Sequence, residues 1–142
     1  MTSRQIRLVR ESFPAIGERA EPLALLFYGR LFQIAPFVRP MFRSDIGIQA
    51  RKFSDMLTVL VKGLEDFDQQ RPALRAMGLR HVSYGVLPAH YDTLAVALLW
   101  ALGHMLYPEF SPDVRGAWAV FIGEVSLVMK AGAAEMPPAG HT

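Results

Sequence analysis

Cysteine is absent from the 142-residue chain, and charged residues make up only 20% of it. The missing thiols exclude disulfides, thiolate catalysis and zinc or iron–sulfur sites built on cysteine. Hydrophobic residues account for 51% of the chain. This apolar content predicts a large core, and the surplus predicts either an oligomer interface or an apolar ligand. A chain of this length is expected to form one domain.

Long apolar runs and a leader segment are also missing from the sequence. The longest apolar run, residues 94–102, is much shorter than the ~20 residues that a membrane-spanning helix needs. Residues 1–5 lack the apolar segment that is typical of a secretory signal. We therefore expect a cytoplasmic protein that has no membrane partner.

The positive charge of the chain is small and scattered. Fifteen Lys and Arg residues against thirteen Asp and Glu residues give a net charge of +2. Arg4, Arg7 and Arg10 form the only basic stripe, and modules that bind DNA or RNA carry denser ones. Nucleic acid is therefore not an expected partner of this chain.

Apolar residues recur at helical spacing along the chain, and caps and prolines divide them into separate helices. Thr2 and Gln5 form a predicted capping box, and Ser111 with Pro112 predicts another helix start. Gly85 is a candidate for the glycine that follows a helix end. No segment shows the sustained alternation of a strand. The sequence predicts an all-α domain of six to eight helices.

Two boundaries complete the predicted organisation. Residues 65–71 are mostly polar and predict a connection, so we expect Pro72 to begin the next helix. The last ten residues are mainly small and include a Pro–Pro pair. We expect one domain over residues 1–132 and a flexible C-terminal tail over residues 133–142.

Histidine is the residue type in this sequence that is best suited to bind a metal. His81 continues the apolar face of its helix, where a lone histidine is more often a core residue than a ligand. His90 lies in a first helical turn, His104 lies near a helix end, and His141 lies in the tail. No two histidines share a helix at the three- or four-residue spacing of a metal site. On the residues alone, both interpretations of His81 remain open.

Two further polar residues lie in apolar helical segments. A buried Tyr28 needs a partner for its hydroxyl, and Gln49 lies one turn before Phe53 on its own helix. These groups and His81 can converge from three helices, or they can be scattered polar residues at helix surfaces. Motifs of nucleophilic or phosphate chemistry are missing. The carboxylates at residues 65, 66 and 68 are typical of a solvated loop.

Three segments together resemble the globin family, in particular bacterial single-domain haemoglobins and the haemoglobin domain of flavohaemoglobins. They are F-Y-x-R-L-F-x-x-x-P from Phe27, R-H-x-x-Y-G-V-x-x-x-H-Y from Arg80, and the Ala-Trp pair at residues 117–118. The resemblance extends over nearly the whole chain. It implies a globin fold around a haem pocket.

The resemblance also implies a haem b cofactor with His81 as the proximal iron ligand. Tyr28 and Gln49 match the distal pair that donates hydrogen bonds to bound O₂. Because glutamine is a poor iron ligand, the resemblance implies five-coordinate ferrous haem. Other positions that match haem-contacting residues of the family are Phe42, Lys52, Phe53, Val86, Tyr91 and Leu94.

The function implied by the resemblance is reversible O₂ binding, for oxygen scavenging, storage or transport, with NO and CO as further ligands. One alternative is nitric oxide dioxygenation, which requires an external reductase because flavohaemoglobins carry a reductase region that this sequence lacks. Another alternative is a globin-fold module that holds no haem and serves signalling or partner binding. The apolar surplus leaves both a monomer and a homodimer open.

One position departs from the flavohaemoglobin pattern. Those proteins pair the tyrosine that matches Tyr91 with a glutamate on the last helix. Ala133 stands at the corresponding position, and Glu135 lies two residues further on. We therefore expect the proximal imidazole to lack the carboxylate that makes it more basic.

Overall fold

The computed structural model describes residues 1–42 and 45–135, including the side chains of all of these except residues 17–20. Every regular element in this part of the chain is helical, which confirms the predicted all-α class. The α-helices are α1 (Ser3–Ser12), α2 (Ala20–Ile34), α3 (Ile46–Lys62), α4 (Phe67–Ser83), α5 (His90–Leu106) and α6 (Pro112–Ala133). Short 3₁₀ segments join the first four of these helices: Phe13–Arg19, Pro36–Met41 and Leu64–Asp66.

Polar caps set helix starts where the sequence predicts them. The Thr2 hydroxyl accepts a hydrogen bond from the Gln5 backbone N–H, and the Gln5 side chain accepts one from the Thr2 N–H. The Ser111 hydroxyl accepts the Val114 N–H at the start of α6. Asp45, which the sequence pattern does not single out, caps α3 in the same way. Each cap satisfies backbone donors that have no partner inside their helix.

The chain leaves α4 through a turn that requires glycine. Gly85 has a φ of 90°, in the left-handed region that other residues rarely adopt. Its N–H donates to the Val82 carbonyl, and the Val86 N–H donates to the His81 carbonyl. This pair of bonds is the Schellman motif, so the predicted glycine at this helix end is confirmed. The turn brings Val86 back beside the last turn of α4.

The start of α4 differs from the expectation. The helix begins at Phe67, so Pro72 lies inside α4 and most of residues 65–71 is helical. The prediction was wrong because local side-chain contacts support an additional turn. Arg71 forms an ion pair with Asp68 at 2.7 Å, and its guanidinium lies over the Phe67 ring. These contacts lie in the turn before Pro72, which donates no backbone hydrogen bond to the helix.

The core is one cluster to which all six α-helices contribute. Trp118 and Phe121 of α6 lie fully inside it. The Trp118 indole N–H donates to the Ser12 hydroxyl at 2.9 Å, so the buried donor has a partner. The other large side chains with almost no exposure are Val9, Ile16, Leu23, Leu31, Leu64, Leu74 and Leu102.

By length and composition, α6 is the one helix in the described ranges that meets the criteria for a membrane span. Its inward face carries the buried residues Ala117, Trp118 and Phe121, and it packs against α1 and α4. The core helix of a globular domain has this same character. The buried face of α6 therefore belongs to the core of the domain.

Candidate functional site

A cavity of about 330 Å³ lies among the helices, with walls from α2 to α6 and the segment Pro36–Met41. Its volume is in the range of small-molecule binding sites. Most of its lining is apolar and aromatic, with few polar side chains. The polar or ionisable residues in the lining are Tyr28, Gln49, Lys52, His81, Tyr84, His90, Tyr91 and Ser126. No carboxylate is among the described residues that line it.

The structure brings together every site residue that the sequence or the resemblance singled out. The distal candidates Tyr28 and Gln49 line the cavity, as does His81. The remaining six also line it: Phe42, Lys52, Phe53, Val86, Tyr91 and Leu94. His104 lies elsewhere, with its ring 4.2 Å from the Trp100 ring between centroids. What each lining residue does toward a ligand stays a prediction.

His81 lies in the last turn of α4, partly buried at the cavity wall. Its Nδ1 lies 2.7 Å from the Met77 carbonyl oxygen, which can only accept a hydrogen bond. Nδ1 therefore carries the proton, and Nε2 keeps its lone pair. Burial is the largest cause that lowers the pKa of His81; the Arg80 charge also lowers it, while the Met77 bond acts in the opposite direction. A neutral imidazole with a free Nε2 lone pair is the form that ligates metals.

Tyr28 of α2 and Gln49 of α3 lie together at the cavity wall. Tyr28 is only 3% exposed, and the Gln49 side chain interacts with its hydroxyl. Burial raises the pKa of Tyr28 to about 12, although the Gln49 bond lowers it in part. The hydroxyl thus stays protonated at neutral pH and remains a hydrogen-bond donor. The rings of Phe27, Phe42 and Phe53 pack around it, with centroids 4.9, 5.2 and 5.9 Å away.

Tyr91 carries a polar atom that no described residue satisfies. The residue is 5% exposed, and its hydroxyl oxygen is buried without a hydrogen-bond partner. Burial raises the pKa of the Tyr91 hydroxyl, so the group stays neutral. The Lys130 ammonium lies 5.7 Å from the ring centroid, and neither Ala133 nor Glu135 lines the cavity. The tyrosine therefore has no carboxylate partner in the described ranges.

Removing the Tyr91 hydroxyl is expected to stabilise the protein in its haem-free form. A buried hydroxyl without a partner costs on the order of 1–3 kcal/mol, so Tyr91→Phe should raise the free energy of unfolding by about 1 kcal/mol. Urea unfolding of the haem-free protein measures this difference. Tyr107→Phe, at a position that is 81% exposed, is the matched control and should change nothing. A loss of stability in Tyr91→Phe would mean that the hydroxyl has a partner.

Sequence reasoning missed several residues of the lining. Four methionines contribute to it: Met41, Met56, Met77 and Met129. Methionine at helical spacing is typical of any core, and only the position of Met56 three residues after Phe53 offered a signal. His90 also lines the cavity. Its Nδ1 accepts the Leu87 N–H at 2.9 Å, which holds the imidazole at the start of α5.

The helices enclose a cavity that has a neutral histidine in its wall. This architecture is suited to holding a ligand between helices. The Globin family model matches residues 25–129, and the chain belongs to the globin family. Globin-family proteins bind haem and small gas ligands. Membership of this family confirms the predicted globin fold.

The relatives that match this chain in sequence are distant from it. Anaerobic nitrite reductase NSHB5 of Oryza sativa subsp. indica is 26% identical over 132 residues, which are 89% of this chain and 91% of that protein. The flavohemoprotein of Deinococcus radiodurans is 26% identical over 132 residues, 91% of this chain but 33% of that protein. The chain thus spans about a third of the length of that flavohaemoprotein.

Solved structures share the fold with this chain. A bacterial globin from Campylobacter jejuni has a TM-score of 0.83 and 24% identity, covering 94% of this chain and 97% of that one. An engineered carbene transferase derived from the Rhodothermus marinus protein RmaNOD has a TM-score of 0.88 and 22% identity, covering 95% and 94%. At this level of identity the likeness shows the fold alone.

Proposed function

We propose that the chain binds haem b through His81 and binds O₂ reversibly, with Tyr28 and Gln49 as hydrogen-bond donors to the gas. One observation carries this proposal. Three polar groups from α2, α3 and α4 meet in one apolar cavity, where the buried Tyr28 and the half-buried Gln49 and His81 all contribute to the lining.

The residues of the cavity fit a haem on three counts. The imidazole Nε2 of His81 is the nitrogen type that ligates haem iron. The aromatic and aliphatic walls, Phe42, Phe53, Val86 and Leu94 among them, suit a flat apolar ring. Lys52 is exposed where it lines the cavity, so its ammonium would pair with a haem carboxylate at the entrance. When bound, haem supplies an iron centre that takes up a diatomic gas.

In the proposed function, Tyr28 and Gln49 donate hydrogen bonds to the bound O₂. Because the Tyr28 hydroxyl stays protonated, it donates a hydrogen bond to a ligand that carries partial negative charge. The Gln49 side chain lies beside that hydroxyl, and its amide is a second donor. The rings of Phe27, Phe42 and Phe53 surround Tyr28, so these bonds would form in a medium that is less polar than water. This arrangement supports slow release of O₂.

The proximal side supports reversible binding rather than oxidative chemistry. The Nδ1–H of His81 donates to a backbone carbonyl, which is a weaker acceptor than a carboxylate. A carboxylate partner would raise the basicity of the imidazole, and no described residue of the lining supplies one. The unpaired Tyr91 hydroxyl agrees with this account, since no described residue takes the place of the glutamate that flavohaemoglobins pair with this tyrosine.

Nitric oxide dioxygenation with a separate reductase is the second candidate, favoured by the flavohaemoprotein relatives. The two functions differ in turnover. The haem-loaded protein in air should consume one equivalent of NO, and the addition of NADH and a flavin reductase should not extend this if O₂ binding is the function. Consumption of many equivalents at the rate of a catalyst would contradict the proposal and establish the dioxygenase.

A further inference from the structure

The backbones of α4 and α6 are in direct contact one turn before His81. A Cβ at Gly78 would lie 1.9 Å from the Met129 carbonyl oxygen, and a Cβ at Gly132 would lie 2.1 Å from the Arg75 carbonyl oxygen. Side chains do not tolerate such separations, so only glycine fits at either position. The two contacts are reciprocal, since a glycine of each helix faces a carbonyl of the other.

The crossing lies within one helical turn of His81. Gly78 lies three residues before His81, and its neighbour Met77 provides the carbonyl that accepts the His81 Nδ1–H. Met77 and Met129 both line the cavity, so the crossing forms part of its wall. The crossing therefore lies next to the residue whose carbonyl holds the His81 imidazole.

The close approach is specific to one end of α6. Gly116 and Gly123 lie on the same helix, and a Cβ at either would meet nothing within 4 Å. All four of these glycines lie inside helices, where glycine is less favourable than alanine. Only at Gly78 and Gly132 does a neighbouring backbone occupy the space that a side chain would need.

We propose that the Gly78–Gly132 crossing positions the proximal histidine, so that the last helix of the chain tunes the bond between His81 and the haem iron. This inference rests on the proposed function, since it takes His81 as the iron ligand. Bulk at either glycine would push α4 away from α6 and move the imidazole together with the Met77 carbonyl. Gly78 and Gly132 are positioning residues and do not touch the reacting atoms.

The test compares three alanine variants of the haem-loaded protein. Gly78→Ala should shift the iron–histidine stretching band in the resonance Raman spectrum of the ferrous form. It should also speed haem transfer to excess apomyoglobin by about tenfold, which corresponds to about 1.4 kcal/mol. Gly132→Ala should shift the band less, because Arg75 lies a further turn from His81. The matched control, Gly123→Ala, should leave band and transfer rate unchanged.

The outcomes separate a positioning role from a packing role. An unchanged iron–histidine band in both crossing variants, with lowered thermal stability, would show that the glycines serve packing alone and would overturn the inference. Gly132→Ala decides the question if Gly78→Ala does not fold. Failure of the unaltered chain to take up haem would overturn the proposed function itself, which is a different result from an insensitive band.

Discussion

Replacing His81 with alanine is expected to abolish tight haem binding. The His81 imidazole is a nitrogen donor in the cavity wall, and the Met77 carbonyl accepts its Nδ1–H, which leaves Nε2 free. Losing only the hydrogen-bond partner of a metal-ligating histidine costs roughly 10- to 100-fold in affinity, so losing the ligand should cost at least about 100-fold. Haem titration of His81→Ala, followed by absorption, measures the change.

His104→Ala is the matched control for that experiment. His104 stacks on Trp100 at 4.2 Å and does not line the cavity, so its removal should leave haem affinity unchanged. Retention of a normal five-coordinate ferrous spectrum by His81→Ala would show that another residue ligates the iron. His90, the second histidine in the lining, would then be the next residue to replace.

Tyr28→Phe is expected to speed O₂ dissociation roughly tenfold to a hundredfold. The hydroxyl is buried and protonated, so it gives up few hydrogen bonds to water when it donates to the gas. A hydrogen bond to a charged group contributes about 1.5–3 kcal/mol, and each 1.4 kcal/mol corresponds to about tenfold. The phenyl ring that remains preserves packing against the neighbouring phenylalanines. Stopped-flow displacement of O₂ by CO measures the rate.

Tyr107→Phe provides the control for this change in chemistry. Tyr107 is 81% exposed and lies outside the cavity lining, so its hydroxyl has no part in gas binding. The pH dependence adds a second check. Because burial holds the pKa of Tyr28 at about 12, the dissociation rate should stay flat from neutral to moderately alkaline pH. An unchanged rate in Tyr28→Phe would contradict the role of this hydroxyl as the distal donor.

Features that depend on a few neighbouring residues were predictable from the sequence. The capping box of Thr2 and Gln5, the cap at Ser111 and the turn at Gly85 each follow from local backbone chemistry, and the structure contains all three. The exception is Pro72, which lies inside α4, after a turn in which Arg71 contacts Phe67 and Asp68. These contacts depend on side-chain conformations that no residue pattern specifies.

The site was predictable only through the resemblance, and not in all its parts. Spacing placed Tyr28, Gln49 and His81 on three helices but could not show that they meet, because their convergence depends on how the helices cross. The Gly78–Gly132 contact could not be predicted from the residue pattern, and the unpaired Tyr91 hydroxyl was anticipated only through the resemblance, from Ala133 at the position of the flavohaemoglobin glutamate. Both are properties of two helices packed together, and each residue alone has ordinary surroundings in the sequence.

The absorption spectrum of the purified protein supplied with haem, in its ferric, reduced and air-exposed forms, tests the central claim most directly. We expect an intense Soret band that shifts on reduction and shifts again when O₂ or CO is added, with imidazole as the axial ligand. A folded, helical protein without such a band in excess haem would contradict the account. His81 would then be a core histidine, and the chain would be a globin-fold module that holds no haem.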